Sequence, residues 1–519
     1  MTEFFKLGEG HLTPGLSYDI AQKKIKCGID EATKAIVRQS QQNVEEIAGR
    51  AETVYGINTG FGPLCDTKIS PEETRKLQEN ILRSHSVGVG NPVPEVIVRL
   101  MMITKLHALC KGYSGVALET LERILYFLDH DILPVVPNKG SVGASGDLAP
   151  LAHLFLPLIG LGEVMYQGKA YDSMAILRQH QLEPLVLGPK EGLALINGTQ
   201  FILSYAVWGL ARMYNCLEVA DIIGAMSLEG MLGSIAPFKS KLHDIRPFAG
   251  SMLVAHRLHT LLKDSEMLAS HANCSRVQDP YSLRCMPQVH GASRNAWKHL
   301  MELTTIELNS VTDNPIILSS EESISGGNFH GQLLALPLDY CALAAAEIGN
   351  ISDRRTYLLL EGKEGLPRLL MKHTGINSGF MIPQYTSAAL VSENKSLVWP
   401  ASADSIPTSL GQEDHVSMGS ISGRKALQVI ENVEKILAIE LFCAAQILDY
   451  HKLKPAQILG EIHSAIRNDI PHIEQDVVMN IEMEKALTLL KSRSLSGILS
   501  SWEYQCEPKP SYYELFEIY

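Results

Sequence analysis

Between Lys139 and Pro150 the chain reads Lys-Gly-Ser-Val-Gly-Ala-Ser-Gly-Asp-Leu-Ala-Pro, with glycines at 140, 143 and 146. Glycines so placed among small side chains let backbone approach backbone, or let the chain take conformations closed to other residues. Two chemistries use such a loop. Phosphate cradling wants a glycine-rich turn followed by a Lys-Ser/Thr pair; none follows Gly146, and Asp147 would repel an anion. The second is cyclisation of the backbone itself. If Ala144-Ser145-Gly146 is pinched, the Gly146 nitrogen can reach the Ala144 carbonyl carbon, because glycine has no Cβ in the way. Loss of one water closes a five-membered ring, and loss of the Ser145 hydroxyl as a second leaves an exocyclic methylene. The product, 4-methylidene-imidazol-5-one, is a strong electrophile. Read alone, the stretch is better taken as a plain turn, with Asp147 capping or opening a helix over the apolar run Leu148 to Leu154.

Other residues carry chemistry by type. In Tyr55-Gly-Ile-Asn-Thr-Gly-Phe-Gly62 a tyrosine stands at the mouth of a glycine-rich loop, as a turn residue or as a mobile acid or base. Arg284 has the planar fork that binds both oxygens of a carboxylate, although a lone arginine more often serves a surface ion pair. His256-x-x-His259 is a single pair on a predicted helix and makes no metal site. The nine cysteines are scattered without a Cys-x-x-Cys, which predicts free thiols in a reducing compartment. A net charge of −12 offers no basic face to nucleic acid.

The elements that must position these groups are mostly helical. Ile36, Val37, Val44 and Ile47 mark a helix near the N-terminus, and further helices are predicted from Thr74 to Ser84 and from about Pro94 to Cys110. A next one has Ser114 as candidate N-cap and Leu118, Leu121, Leu125 and Leu128 on one face. Gly162 to Lys169 reads as a small hairpin. Beyond Asn197-Gly198-Thr199 the pattern turns to long helices, of which Ile421 to Leu448 is the clearest: Ile430, Val433, Leu437, Leu441, Ala444 and Leu448 recur at three and four residues. The expectation is a mainly all-α chain, divided into residues 1–200 and 201–519. No basic-then-apolar leader opens the chain, and the best apolar run, Leu333 to Ile348, is interrupted by Asp339 and Glu347, so a soluble cytoplasmic protein is expected.

Joined to the central loop, a series of further motifs becomes specific. They are Tyr55 to Gly62, Ser84-His85, Gly143 to Leu154, Leu195-Ile-Asn197-Gly-Thr199, Gln278-Asp-Pro-Tyr281-Ser-Leu-Arg284, Asp313-Asn-Pro315, Gly326-Gly-Asn-Phe329-His330 and Gln412-Glu413-Asp-His-Val-Ser-Met418. In this order they resemble the signature series of the aromatic amino acid ammonia-lyases, over roughly residues 50 to 420. The resemblance implies a fumarase/aspartase-like α-helical fold, with a smaller N-terminal domain holding the electrophile and a long central bundle. It also implies a homotetramer whose active sites draw on three chains, and an electrophile made from Ala144, Ser145 and Gly146 without an external cofactor.

The roles carried over follow the chemistry of the elimination, in which a weakly acidic β-proton and a poor leaving group, ammonia, must both depart. By resemblance Tyr55 is the base, in an electropositive pocket that lowers its pKa, Arg284 holds the substrate carboxylate, and Asn197 and Gln278 add hydrogen bonds. Tyr281 handles a proton or orients the loop, and Phe329 lies beside the ring electrophile. Ser84-His85 and Glu413 resemble the members that convert L-histidine to trans-urocanate, since a carboxylate and an imidazole can read the two ring nitrogens. Arg83-Ser-His-Ser86 and Phe329-His-Gly331 also resemble members acting on tyrosine, by elimination or by 2,3-migration of the amine, and Gln332 stands where an acidic residue is expected. The intact Gln412-Glu413-Asp414-His415 favours histidine. A pairing of Glu413 with an arginine inside the bundle is the competing structural role.

Overall fold

The computed structural model describes residues 4–50, 53–59, 69, 71–271, 277–363, 365–505 and 509–519. Gly60, Phe61 and Gly62 of the Tyr55 motif, and Cys65, Cys274 and Cys506, lie outside the described residues. Six helices organise the site: α1 (Pro71–His85), α2 (Leu148–Phe155), α3 (Gln200–Gly230), α4 (Met286–Leu308), α5 (Gln332–Leu359) and α6 (Gly419–Leu448). The last four are long because they carry many Leu, Ile, Ala and Met residues and, beyond the first turn, no proline except Pro337 in the second turn of α5. α5 packs along α6, α6 along α3, and α4 against α5 and α3. In α3 every residue but Trp208, Arg212 and Tyr214 is buried, as a helix apolar on all faces must be.

Many of the charged residues inside this bundle pair with one another. Arg257 and Arg294 both reach Glu218 and Asp221 on α3, and His290 Nδ1 lies 2.8 Å from Asp221. Arg355 on α5 forms a two-pronged pair with Glu440 on α6, at 2.6 and 2.9 Å, and the Ser227 hydroxyl donates to the same carboxylate. α5 is long and apolar enough by composition to cross a bilayer, but its window is 72% buried among its neighbours.

The β content is small. β1 (Val89–Pro92) pairs antiparallel with β2 (Pro137–Lys139), and β3 (Glu163–Tyr166) with β4 (Lys169–Asp172), the hairpin the sequence suggests. The helices near the N-terminus run over Glu31–Ala48, Glu95–Leu109 and Leu118–Asp129. Two details differ from expectation. Ile36 faces outward, half exposed, while Val37, Val44 and Ile47 are buried. Ser114 does not cap Leu118–Asp129; that helix starts at Ala117 with no side-chain cap, and Ser114 instead gives its carbonyl to the buried Lys190 ammonium. Among the described residues the six cysteines Cys27, Cys110, Cys216, Cys285, Cys341 and Cys443 are free thiols, five of them buried.

Candidate active site

Three separate parts of the chain close on the loop from Gly140 to Asp147. The β1–β2 pairing sets Val89 opposite Lys139 and brings the end of α1, with Ser84 and His85, beside it. From α6, the Met418 amide donates to the Val142 carbonyl (2.9 Å) and the Ser420 hydroxyl to that of Ser141 (2.6 Å). From the start of α3, Gly198 forms a bridge with Gly146, its carbonyl accepting from the Asp147 amide at 2.7 Å.

So held, the triad is a tight turn. φ is +81° at Gly143, +51° at Ser145 and +78° at Gly146, and a left-handed serine costs on the order of 1 kcal/mol. A Cβ on Gly146 would lie 2.1 Å from the Gly198 carbonyl oxygen, so only glycine fits. A strained turn with an unhindered glycine nitrogen is what ring closure at Ala144-Ser145-Gly146 requires, and in this respect the residues fit the group.

The Asp147 carboxylate does not cap its own helix. α2 begins without a side-chain cap bond, while Asp147 Oδ2 accepts from the Ile202 amide (2.9 Å) in the first turn of α3, and Oδ1 takes the Ser141 hydroxyl. Burial pushes its pKa up to about 7, against the opposing pull of the Ile202 and Phe201 amides.

The first turns of α3, α5 and α6 meet here. Cβ atoms placed on Gly331 and Gly419 would each come within 2.7 Å of the Ile202 Cδ1 methyl. Three helices therefore turn their positive ends toward the loop, a favourable surround for an anion or for developing negative charge. Phe329, half-buried, sits on the turn that leads into α5, and its neighbour His330 reaches the His415 carbonyl at 3.2 Å.

Among the described residues, Glu413 has hydroxyl partners rather than an arginine. Oε1 accepts from Ser145 Oγ at 2.5 Å, and Oε2 from Ser409 Oγ at 2.5 Å and Thr408 Oγ1 at 3.1 Å. A cavity of about 300 Å³ opens beside it, lined among others by Ser84, His85, Ala144, Thr408 and Glu413. Burial holds the His85 pKa below its ordinary value, against the opposing pull of the Ile81 backbone and of Glu413. Its Nδ1 lies 3.0 Å from Ser84 Oγ.

Asn197 ends the short helix Glu191–Ile196 and is buried, with no partner for its Oδ1 among the described residues. Its carbonyl accepts from the Lys105 ammonium at 2.5 Å. Lys105 is fully buried, and desolvation lowers its pKa to about 7. The Tyr55 loop is knitted by Asn58 Oδ1, which accepts the Val54 amide, and by Thr59 Oγ1, which accepts that of Gly56. It packs on Leu193 of the helix that ends in Asn197.

Gln278, Tyr281 and Arg284 lie elsewhere. The neighbouring Asp279 accepts from the Ser234 amide just past the end of α3, and Gln278 lines a cavity of about 340 Å³ with Met231, Leu358 and Ile447. α3 has 31 residues, and a helix of that length spans about 45 Å. Asn197 stands at one end and the Gln278–Arg284 group at the other. Arg284, half-buried, stacks over the Tyr281 ring at 4.5 Å and donates from Nε to the Asp279 carbonyl at 3.0 Å, while Tyr281 is 69% exposed.

Sequence reasoning missed Lys105, Thr408 and Ser409. Lys105 left one signal, a cation with Arg99 in the otherwise mostly apolar stretch from Ile97 to Leu109. The two hydroxyls left none.

The aromatic amino acid lyase family profile matches residues 12–468. The histidine ammonia-lyase of Natranaerobius thermophilus is 45% identical over 489 residues, covering 92% of this chain and 96% of its own. That of Myxococcus xanthus is 46% identical over 475 residues, covering 91% and 93%. Among solved structures, histidine ammonia-lyase from Trypanosoma cruzi superposes with a TM-score of 0.90 at 38% identity, covering 99% of this chain and 97% of that one. A tyrosine aminomutase from Streptomyces globisporus does so with a TM-score of 0.90 at 32% identity, covering 97% and 99%.

Proposed function

The chain belongs to the aromatic amino acid lyases, and we propose that it eliminates ammonia from L-histidine to give trans-urocanate. The observation that carries the choice of substrate is the Glu413 carboxylate, set against Ser145 in a cavity that His85 also lines. A neutral imidazole and a carboxylate together can donate to and accept from the two nitrogens of an imidazole ring, whereas a phenol offers one polar atom. The named relatives at 45–46% identity support the same reading.

Ala144, Ser145 and Gly146 cyclise to the methylidene-imidazolone, which supplies the electrophile that makes the elimination feasible. Around it the chain's own groups divide the work. Tyr55 takes the β-proton. Glu413 and His85 fix the ring so that this proton faces Tyr55, and Asn197 turns its amide toward the substrate from beneath. The three helix N-termini favour the deprotonated phenol and the substrate carboxylate. Phe329 closes the apolar side and excludes water.

Arg284, with Gln278 and Tyr281, binds the substrate carboxylate and orients the loop from another copy of the chain. The length of α3 separates them from Ser145 within one subunit, and the exposure of Tyr281 leaves them available to a neighbour. We read the assembly as a cytoplasmic homotetramer in which residues 1–200 hold the electrophile and residues 201–519 form the shared bundle.

Near-ultraviolet absorbance of the protein supplied separately with L-histidine and L-tyrosine tests this. Urocanate from histidine alone is expected. Coumarate from tyrosine would keep the electrophile and overturn the substrate.

A further inference from the structure

The turn that carries Glu413 is strained where nothing in the core requires it. Ser409 and Leu410 have φ of +51° and +56°, in the left-handed region that non-glycine residues avoid at a cost of order 1 kcal/mol each. Leu410 is 95% exposed, so burial of its side chain does not offset the strain. What the turn achieves is local. The Thr408 amide donates to the Glu413 carbonyl at 2.9 Å, and the Thr408 and Ser409 hydroxyls both close on Oε2 of the same residue. The two oxygens of Glu413 are thus in different situations. Oε2 is tied to its own turn by two hydroxyls, while Oε1 points away from it and takes the Ser145 hydroxyl.

We propose that Thr408 and Ser409 are positioning residues for substrate recognition: by tethering Glu413 Oε2 they present Oε1 to a ring N–H of the substrate. This rests on the reading of Glu413 as the residue that binds the ring. Among the described residues, Oε1 has a donor only while Ser145 keeps its hydroxyl. When the Ser145 Cα–H and Cβ–O bonds break, a Cα–Cβ double bond forms and water leaves, and that donor is gone. A partly buried carboxylate oxygen without a partner is costly, and an imidazole N–H in the adjoining cavity restores the bond. Without the tether the carboxylate would rotate about its terminal torsion, and the acceptor would be present but not aimed.

The test compares Thr408→Val/Ser409→Ala with the hydroxyl-keeping pair Thr408→Ser/Ser409→Thr and with Glu413→Gln. Intact mass first reports whether each protein has lost its two waters, about 36 Da. Inhibition by 3-(imidazol-4-yl)propionate and by 3-phenylpropionate then separates recognition of ring nitrogens from general integrity of the pocket. The hydroxyl-free variant should keep the mass deficit and lose about 10- to 100-fold in kcat/KM for L-histidine, as expected for charge-assisted bonds. Its inhibition constant for the imidazole acid should rise by about tenfold or more, with that for the phenyl acid within about twofold. The hydroxyl-keeping pair should stay within about threefold of the parent throughout. Equal weakening of both inhibitors, unchanged binding of both, or loss of the mass deficit would each overturn the proposal. Glu413→Gln with undiminished kcat/KM would remove the reading of Glu413 itself. A damaged Glu413→Gln beside an intact hydroxyl-free variant would remove only the tether.

Discussion

At the scale of single residues, the chemistry is concentrated in atoms whose surroundings oppose their ordinary behaviour. Ser145 is held left-handed, Asp147 is a buried carboxyl, and Lys105 is a buried amine under Asn197. Ser145→Ala should retain the fold, remove the mass deficit of about 36 Da and abolish turnover by about a thousandfold or more; full activity would remove the electrophile. Tyr55→Phe should keep the deficit and lower kcat by about 10²- to 10⁴-fold, measured with saturating L-histidine. For Asp147 the folded pKa, about 7, lies above the unfolded one. The native state therefore binds more protons than the unfolded state between about pH 4 and pH 7, and stability falls as pH rises through that window. Asp147→Asn should flatten that fall by up to about 4 kcal/mol in denaturant titrations taken across the range.

At the scale of elements, the helices were legible in the sequence and their joints less so. The apolar stripe through Ile430, Val433 and Leu437 marks α6 because burial on a helix needs that period, and the structure buries all three. Asp147 sits in front of α2 and reads as its cap, yet its carboxylate turns back to the first turn of α3. Which helix end a loop returns to is a tertiary fact that spacing does not carry. The same holds for Gln278 and Arg284, which resemblance assigns to one site with Ser145 and which the 31 residues of α3 set far from it in one chain. Thr408 and Ser409 left no trace because a hydroxyl pair before an acidic residue is common in turns. The buried pair between α5 and α6 makes a testable contribution of its own. Arg355→Met leaves Glu440 buried without its cation and should cost about 3–5 kcal/mol by chemical denaturation, whereas Arg355→Met/Glu440→Gln should recover part of that loss.

At the scale of the whole molecule, the proposed sharing of sites between subunits rests on the separation of the chemical groups along α3. Ser145→Ala and Arg284→Ala should each be inactive as pure proteins. Unfolded together in equal amounts and refolded, they should regain activity at about a quarter of the sites, since an intact site then draws Ser145 from one variant and Arg284 from the other. Absence of any recovery would mean that both groups serve the same subunit's site.

The loop's anchors lie far apart in sequence: β1 near residue 89, Gly198, and Met418 to Ser420. The turn at Ala144-Ser145-Gly146 is therefore shaped by parts of the chain made before it and long after it. In the proposed function, ring closure is then a late event in the life of each molecule, trailing the formation of helix. The two waters that the proposed closure releases would leave a covalent record that survives unfolding, so the mass of a fully denatured chain would still tell whether it had once been correctly folded.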